Sequence, residues 1–170
     1  MSRFFLVGMP GAGKTYWGRK LADKYGLAFT DLDEYIETKE GRAIHEIFAT
    51  NGEVYFRKKE TDCLEQLCLQ DNVIVACGGG TPLYNNNLEL MKRCGCVVYL
   101  QADIDTLAER LKQDEDNMRP LLKGENIHEQ LERLYHERKD YYEQADYALQ
   151  PDERIIANFE QIVELCTNRR

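Results

Sequence analysis

The sequence predicts a three-layer α/β/α sandwich on a parallel sheet, and three observations predict it. Short apolar runs alternate along the whole chain with longer segments of helical periodicity. The runs are continuously apolar rather than alternating, as strands covered on both faces are. The first run passes through a glycine-rich loop directly into a helix. A length of 170 residues fits one domain, expected over 1–170, and no repeat, low-complexity tract or Pro/Ser-rich linker divides it.

Taken in order, Phe4–Val7 is the first strand, and a helix follows near Lys14–Tyr25, closed by Gly26 at the position of a C-terminal cap. Leu27–Thr30 is the second strand, with helices near Asp33–Lys39 and Glu53–Gln70 after it. Val73–Cys77 and Cys96–Leu100 are the third and fourth strands, separated by a helix near Leu88–Cys94. Helices near Ile104–Lys112, Ile127–Gln144 and Ile155–Thr167 complete the pattern, with a short fifth strand at Asp146–Leu149. The stretch 111–126 departs from it, being charged, weakly periodic and interrupted by Pro120 and Gly124. It reads either as a solvated loop or as a lid over about 112–125.

Composition narrows the function classes. Apolar residues make up 43% and charged residues 31%, an ordinary globular balance. A net charge of −8 disfavours broad contact with nucleic acid or anionic lipid, and no apolar run approaches the roughly 20 residues that span a bilayer. The run at Phe4–Val7 is too short for a signal-peptide core, so the chain is expected to be cytoplasmic, with its six cysteines reduced. Cys94-Gly95-Cys96 is one close pair with no partner pair or nearby histidine to complete a zinc set. His45, His128 and His136 show no metal or catalytic spacing.

Gly8-Met9-Pro10-Gly11-Ala12-Gly13-Lys14-Thr15 matches G-x-x-x-x-G-K-[ST] between a strand and a helix. Glycines let successive backbone N–H groups turn inward around phosphate oxygens, and the helix N-terminus adds positive potential. Lys14 then reaches the β- and γ-phosphates of a nucleoside triphosphate, and the Thr15 hydroxyl is a ligand for Mg²⁺. Asp31 and Asp33 end the second apolar run, where carboxylates face the crevice in which open α/β sheets bind ligands. Either aspartate also suits the N-cap of the following helix.

Arg57 and Arg138 are singled out by periodicity. Val54, Arg57, Thr61, Leu64 and Cys68 share one helical stripe, as do Ile127, Leu131, Leu134, Arg138 and Tyr141. An inward arginine needs an anion, which is either an internal salt bridge or a ligand carboxylate held by bidentate bonds. Val73–Cys77 runs into Gly78-Gly79-Gly80, three residues without side chains, which suits close approach of backbone to a ligand. Arg119-Pro120-Leu121 places an arginine in the lid segment.

Together these motifs resemble the shikimate kinase family from Phe4 to about Val163. That family pairs a P-loop with D-x-D after the second strand, an arginine in a following helix, G-G-G after the third strand, R-P-L in a lid and another arginine beyond it. The resemblance implies a five-stranded parallel sheet of order 2-3-1-4-5. It implies transfer of the γ-phosphoryl group of ATP to the 3-hydroxyl of shikimate, on the route to chorismate and the aromatic amino acids. It implies Mg²⁺ as cofactor and a monomer with small-molecule partners alone.

Carried over residue by residue, Gly11, Ala12, Gly13, Lys14, Thr15 and Tyr16 bind the phosphates, with Thr15 and Asp31 serving the metal. Asp33 meets the reacting hydroxyl as base. Arg57 and Arg138 hold the shikimate carboxylate, with Gly79 and Gly80 against its ring. Arg110 stacks on adenine, Arg154 lies in the adenine loop, and Arg119 closes onto the phosphates as a catalytic group beside Asp33 and Lys14.

The chain departs from the family pattern in three places: Tyr16-Trp17 where small or hydroxyl residues are usual, Cys77 where Thr or Ser precedes the glycines, and Asp114-Glu115-Asp116 in the lid. Two other readings are another small-molecule P-loop kinase, such as a gluconate or nucleoside monophosphate kinase, and a nucleotide-dependent switch. The first gives no reason for the triple glycine. The second, as a GTPase, needs an N-K-x-D segment that the chain lacks.

Overall fold

Five strands, β1 (Arg3–Val7), β2 (Ala28–Asp31), β3 (Val73–Ala76), β4 (Cys96–Leu100) and β5 (Tyr147–Leu149), pair in parallel in the order β2-β3-β1-β4-β5. The structure, a computed structural model, describes residues 2–113 and 126–168. Consecutive residues Phe4, Phe5, Leu6 and Val7 are all fully buried, so both faces of β1 are covered and its continuous apolar run is explained. Full burial of each such side chain contributes roughly 1.5–3 kcal/mol. The edge strands β2 and β5 remain partly exposed.

The helices are α1 (Lys14–Tyr25), α2 (Leu32–Glu40), α3 (Ile44–Leu67), α4 (Asn87–Cys94), α5 (Ile104–Gln113), α6 (Ile127–Tyr142) and α7 (Ile155–Asn168), with a 3₁₀ turn at Thr81–Leu83. Gly26 caps α1, its N–H donating to the Ala22 carbonyl. The order of elements, the layers and the sheet order agree with the sequence reading.

Three features differ from it. The helix expected from Glu53 begins at Ile44 and is kinked at Gly52, where φ is 80° and ψ 175°. Its first half starts on Ala43, which offers no side-chain cap; only Glu46 Oε2 reaches back to the Ala43 N–H, at 2.8 Å. Val54, just after the kink, shares a face with Arg57 and Thr61 but is 87% exposed, so the stripe is buried only beyond it. In α6 the buried aromatic is Tyr142 rather than Tyr141, since a 3,4 repeat drifts around the helix.

The third difference is in the cysteines, expected to be reduced: Cys96 at the start of β4 and Cys166 in α7 are joined as a disulfide. Their separation of 70 residues hides this neighbourhood from sequence spacing. Cys63, Cys68 and Cys77 are buried free thiols and Cys94 is half-buried. Of the lid, residues 114–125, Arg119 included, lie outside the described residues. Among the described residues no helix is long and apolar enough to cross a membrane.

Candidate active site

At the centre of the sheet β1 and β3 lie side by side, yet the chain leaves β1 toward β2 and β3 toward β4. The loops at their carboxyl ends therefore splay apart and open a crevice. Gly8–Thr15 follows β1, Asp31 ends β2, and Gly78–Gly80 follow β3, so the topology brings three separate motifs to one place.

Gly13 is the N-cap of α1 with φ 88° and ψ 25°, a left-handed conformation that a residue with Cβ adopts only with strain. Ala12 is fully buried, and Lys14 folds back so that Nζ donates to the carbonyls of Gly8 at 2.7 Å and Met9 at 2.9 Å. The Thr15 hydroxyl donates to Asp31 Oδ2 at 2.7 Å. The other Asp31 oxygen accepts from the N–H groups of Asp33 and Glu34 at 3.0 and 3.3 Å, capping α2. One carboxylate thus caps α2 and accepts from the Thr15 hydroxyl at once.

The three glycines after β3 each lie beneath a different functional side chain. A Cβ built on Gly78 would stand 3.3 Å from Asp33 Oδ1. One on Gly79 would stand 2.7 Å from Arg138 Nη1, and one on Gly80 2.8 Å from Arg57 Nη2. Residues 57 and 138, which lie on α3 and α6, thus converge on adjacent positions of one loop, and Asp33 stands beside them. Any side chain at 79 or 80 would displace a guanidinium, which explains the absence of side chains here.

Arg57 is held on several sides. Its Nη1 donates to Glu60 Oε2 at 3.0 Å and its Nε to Glu53 Oε1 at 3.2 Å, and Tyr84 lies 4.0 Å from the guanidinium carbon. Nη2, on the Gly80 side, has no acceptor among the described residues. Burial, the largest single influence, acts to lower the Arg57 pKa, but Glu60, Tyr84 and Glu53 together outweigh it and leave the value raised. Glu60 is fully buried; desolvation pushes its carboxyl upward, while Arg57 and the Thr81 hydroxyl, which donates to Oε1 at 2.6 Å, pull it down. Thr81 and Asn87 are fully buried too, and Asn87 Nδ2 donates to the Thr81 carbonyl at 3.1 Å.

On the other side of the P-loop a groove of about 520 Å³ is lined by Tyr99, Gln101, Arg110, Gln150, Pro151 and Asp152 among others. Arg110 Nη1 donates to the carbonyls of Gly11 and Ala12 at 3.2 and 3.3 Å, tying this groove to the phosphate loop. Arg154 lies outside the lining, its side chain 73% exposed and 3.5 Å from Asp152. Tyr99 stacks on Tyr142 with ring centroids 5.2 Å apart, and the Tyr142 hydroxyl donates to the Gly79 carbonyl at 2.6 Å. A packed path therefore runs from the groove to the triple glycine.

Sequence reasoning did not find Glu60, Thr81, Tyr84 or Tyr142. Only Glu60 carried a local signal, standing three residues after Arg57 on the same helical face. Cys77, a departure from the family pattern, is buried against Met91, its Sγ 3.6 Å from that residue's sulfur.

Known proteins can now be set beside this geometry. The family model described as shikimate kinase matches residues 10–167. A shikimate kinase of Sulfurihydrogenibium sp. (strain YO3AOP1) is 40% identical over 164 residues, 96% of this chain and 95% of that protein. The crystal structure of a shikimate kinase from Bacteroides thetaiotaomicron has a TM-score of 0.87 at 33% identity, covering 96% of this chain and 97% of its own. A shikimate kinase from Acinetobacter baumannii, solved in complex with shikimate, has a TM-score of 0.86 at 35% identity, covering 100% of this chain and 95% of its own. Matched over this length by the family's model and by a relative at this identity, the chain belongs to the shikimate kinase family.

Proposed function

We propose that Arg57, Arg138 and the backbone of Gly79-Gly80 bind shikimate beside Asp33, and that the phosphate loop, Arg110 and Arg119 serve the nucleotide. As a shikimate kinase the chain transfers the γ-phosphoryl group of ATP to the 3-hydroxyl of shikimate. The observation that carries the residue assignment is the stacking of Asp33, Arg138 and Arg57 over three successive glycines.

The two guanidiniums hold the shikimate carboxylate, and the bare glycine backbone lets the ring lie against the loop. That placement brings the 3-hydroxyl to Asp33, which accepts its proton as the oxygen attacks the γ-phosphorus. The N–H groups of Gly11, Ala12, Gly13 and Tyr16 cradle the phosphates, and Lys14 turns from the Gly8 and Met9 carbonyls to the β- and γ-phosphates. Arg110 packs on adenine in the groove, with Arg154 at its rim. Arg119 brings its charge to the transferring phosphoryl group from the lid.

Thr15 Oγ1 and Asp31 Oδ2 are hard oxygen donors that suit Mg²⁺, an ion that keeps several waters and is held by one or two carboxylates plus substrate phosphates. When bound, that ion neutralises charge on the β- and γ-phosphates. The reading is of one kinase domain over 1–170, acting as a cytoplasmic monomer on small molecules, with neither nucleic acid nor membrane as partner.

ADP release measured against a panel of acceptors tests the proposal. Turnover is expected to rise sharply with shikimate and to stay near background with gluconate or nucleoside monophosphates; equal stimulation by one of those would overturn it. Because the carboxylate is charged alike in ground and transition states, Arg138→Ala is expected to raise the shikimate KM more than it lowers kcat. The loss in kcat/KM is expected to be about 10- to 150-fold, from a charge-assisted bond of roughly 1.5–3 kcal/mol. A fall in kcat at unchanged KM would remove Arg138 from the carboxylate.

A further inference from the structure

We propose that Trp17 is a nucleotide-binding residue of this chain, its indole Nε1–H donating to the phosphate chain of the bound nucleotide. The inference rests on the reading of the P-loop given above and assigns a contact that the loop itself does not supply.

Trp17 stands in the first turn of α1, with its backbone N–H donating to the Gly13 carbonyl at 2.8 Å. Side chains on a helix lean toward its N-terminus, so the indole lies back over the phosphate loop rather than along the helix. From the position of a Cβ on Gly13, Trp17 Cδ1 is 3.1 Å away, Trp17 Nε1 3.5 Å and Arg110 Nη1 3.7 Å. Because Gly13 carries no side chain, the indole from α1 and the guanidinium from α5 both pack close over its Cα.

The indole N–H has no acceptor among the described residues, and the ring is only partly buried. The ring makes an edge-on contact with Tyr16 at 5.1 Å between centroids, and Lys20 Nζ lies 5.4 Å from the Trp17 ring and 4.5 Å from that of Tyr16. The Tyr16 residue is 56% exposed, whereas the Trp17 indole lies against Gly13. Arg110 is anchored to the Gly11 and Ala12 carbonyls, so its Nη1 is held at the same end of the loop. An N–H donor lying against the helix N-terminus suits an anionic group rather than a base edge.

Trp17 is the chain's single tryptophan, so its fluorescence reports on this contact directly. Titration of the wild-type protein with Mg-ADP is expected to change the emission, whereas shikimate alone is not. Trp17→Phe keeps the aromatic packing and removes the donor. Calorimetry is expected to show its ADP affinity reduced by about 10- to 30-fold, the lower part of the range for a bond to a charged group because the site is open to water. Its shikimate affinity is expected to match wild type.

Unchanged ADP affinity in Trp17→Phe, or equal loss for ADP and shikimate, would make Trp17 a packing residue and overturn the proposal. Should the variant fail to fold, the wild-type titration decides, and saturation with ADP at constant emission overturns it. If wild-type protein bound no ADP by calorimetry, the nucleotide-site reading itself would fail, an outcome distinct from these.

Discussion

Asp33→Asn is expected to lower turnover with shikimate by about 10²–10⁴-fold, the range for loss of a positioned acid–base group, while ADP binding is retained. Asparagine keeps the size of the side chain and its hydrogen-bonding capacity but cannot take up a proton. The N-cap of α2 is Asp31, not Asp33, so the substitution leaves that helix capped. Steady-state kinetics with a parallel ADP titration reads the two effects separately. Loss of ADP binding together with activity would show that Asp33 supports the loop rather than the reaction. Near wild-type turnover would show that positioning and charge stabilisation suffice without a base.

Gly80→Ala is expected to reduce kcat/KM for shikimate on the order of 10²-fold or more, the cost of misplacing a binding group by about an ångström. The added methyl would meet Arg57 Nη2 at 2.8 Å, Nη1 at 3.1 Å and Cζ at 3.3 Å. Arg57 cannot give way easily, because Glu60, Glu53 and Tyr84 hold the guanidinium where it is. The same change at Gly79 meets Arg138 mainly through one terminal nitrogen, at 2.7 Å, the far end of a flexible side chain. Gly79→Ala is therefore expected to be the milder of the two. Kinetics on both variants, with thermal melts to verify folding, checks the order. Gly80→Ala with wild-type KM would show that shikimate does not depend on the position of Arg57.

The parts of this site that were legible in the sequence are those whose chemistry is local. The P-loop is eight consecutive residues, and Asp31 and Asp33 stand two apart at the end of a strand. The arginines at 57 and 138 were found because a charge on an apolar stripe conflicts with burial. The supporting residues were not legible, since their roles arise between elements. Glu60 is an ordinary helix glutamate until Thr81 closes over it from 21 residues away. Tyr142 differs from Tyr141 only by a helical phase that short repeats cannot resolve. The first half of α3 lacks a cap side chain and meets Gly52, so the sequence read it as loop. The Cys96–Cys166 pair depends on how the end of α7 meets β4, which no spacing encodes.

The sheet order also sets a timetable for a chain made from its N-terminus. β1 is synthesised first but sits in the middle, with Phe4 paired to Ile74 on one side and to Cys96 on the other. At roughly 5–20 residues per second, the ribosome takes on the order of 5–20 s to deliver both neighbours. Until then β1 lacks at least one of its neighbours, and the loop that follows it lacks part of its frame. Nucleotide therefore cannot assist the early stages of folding, because its site exists only after the third and fourth strands have emerged. Nascent chains stalled with residue 100 still inside the exit tunnel should accordingly fail to retain ADP, while those released past β5 should bind it.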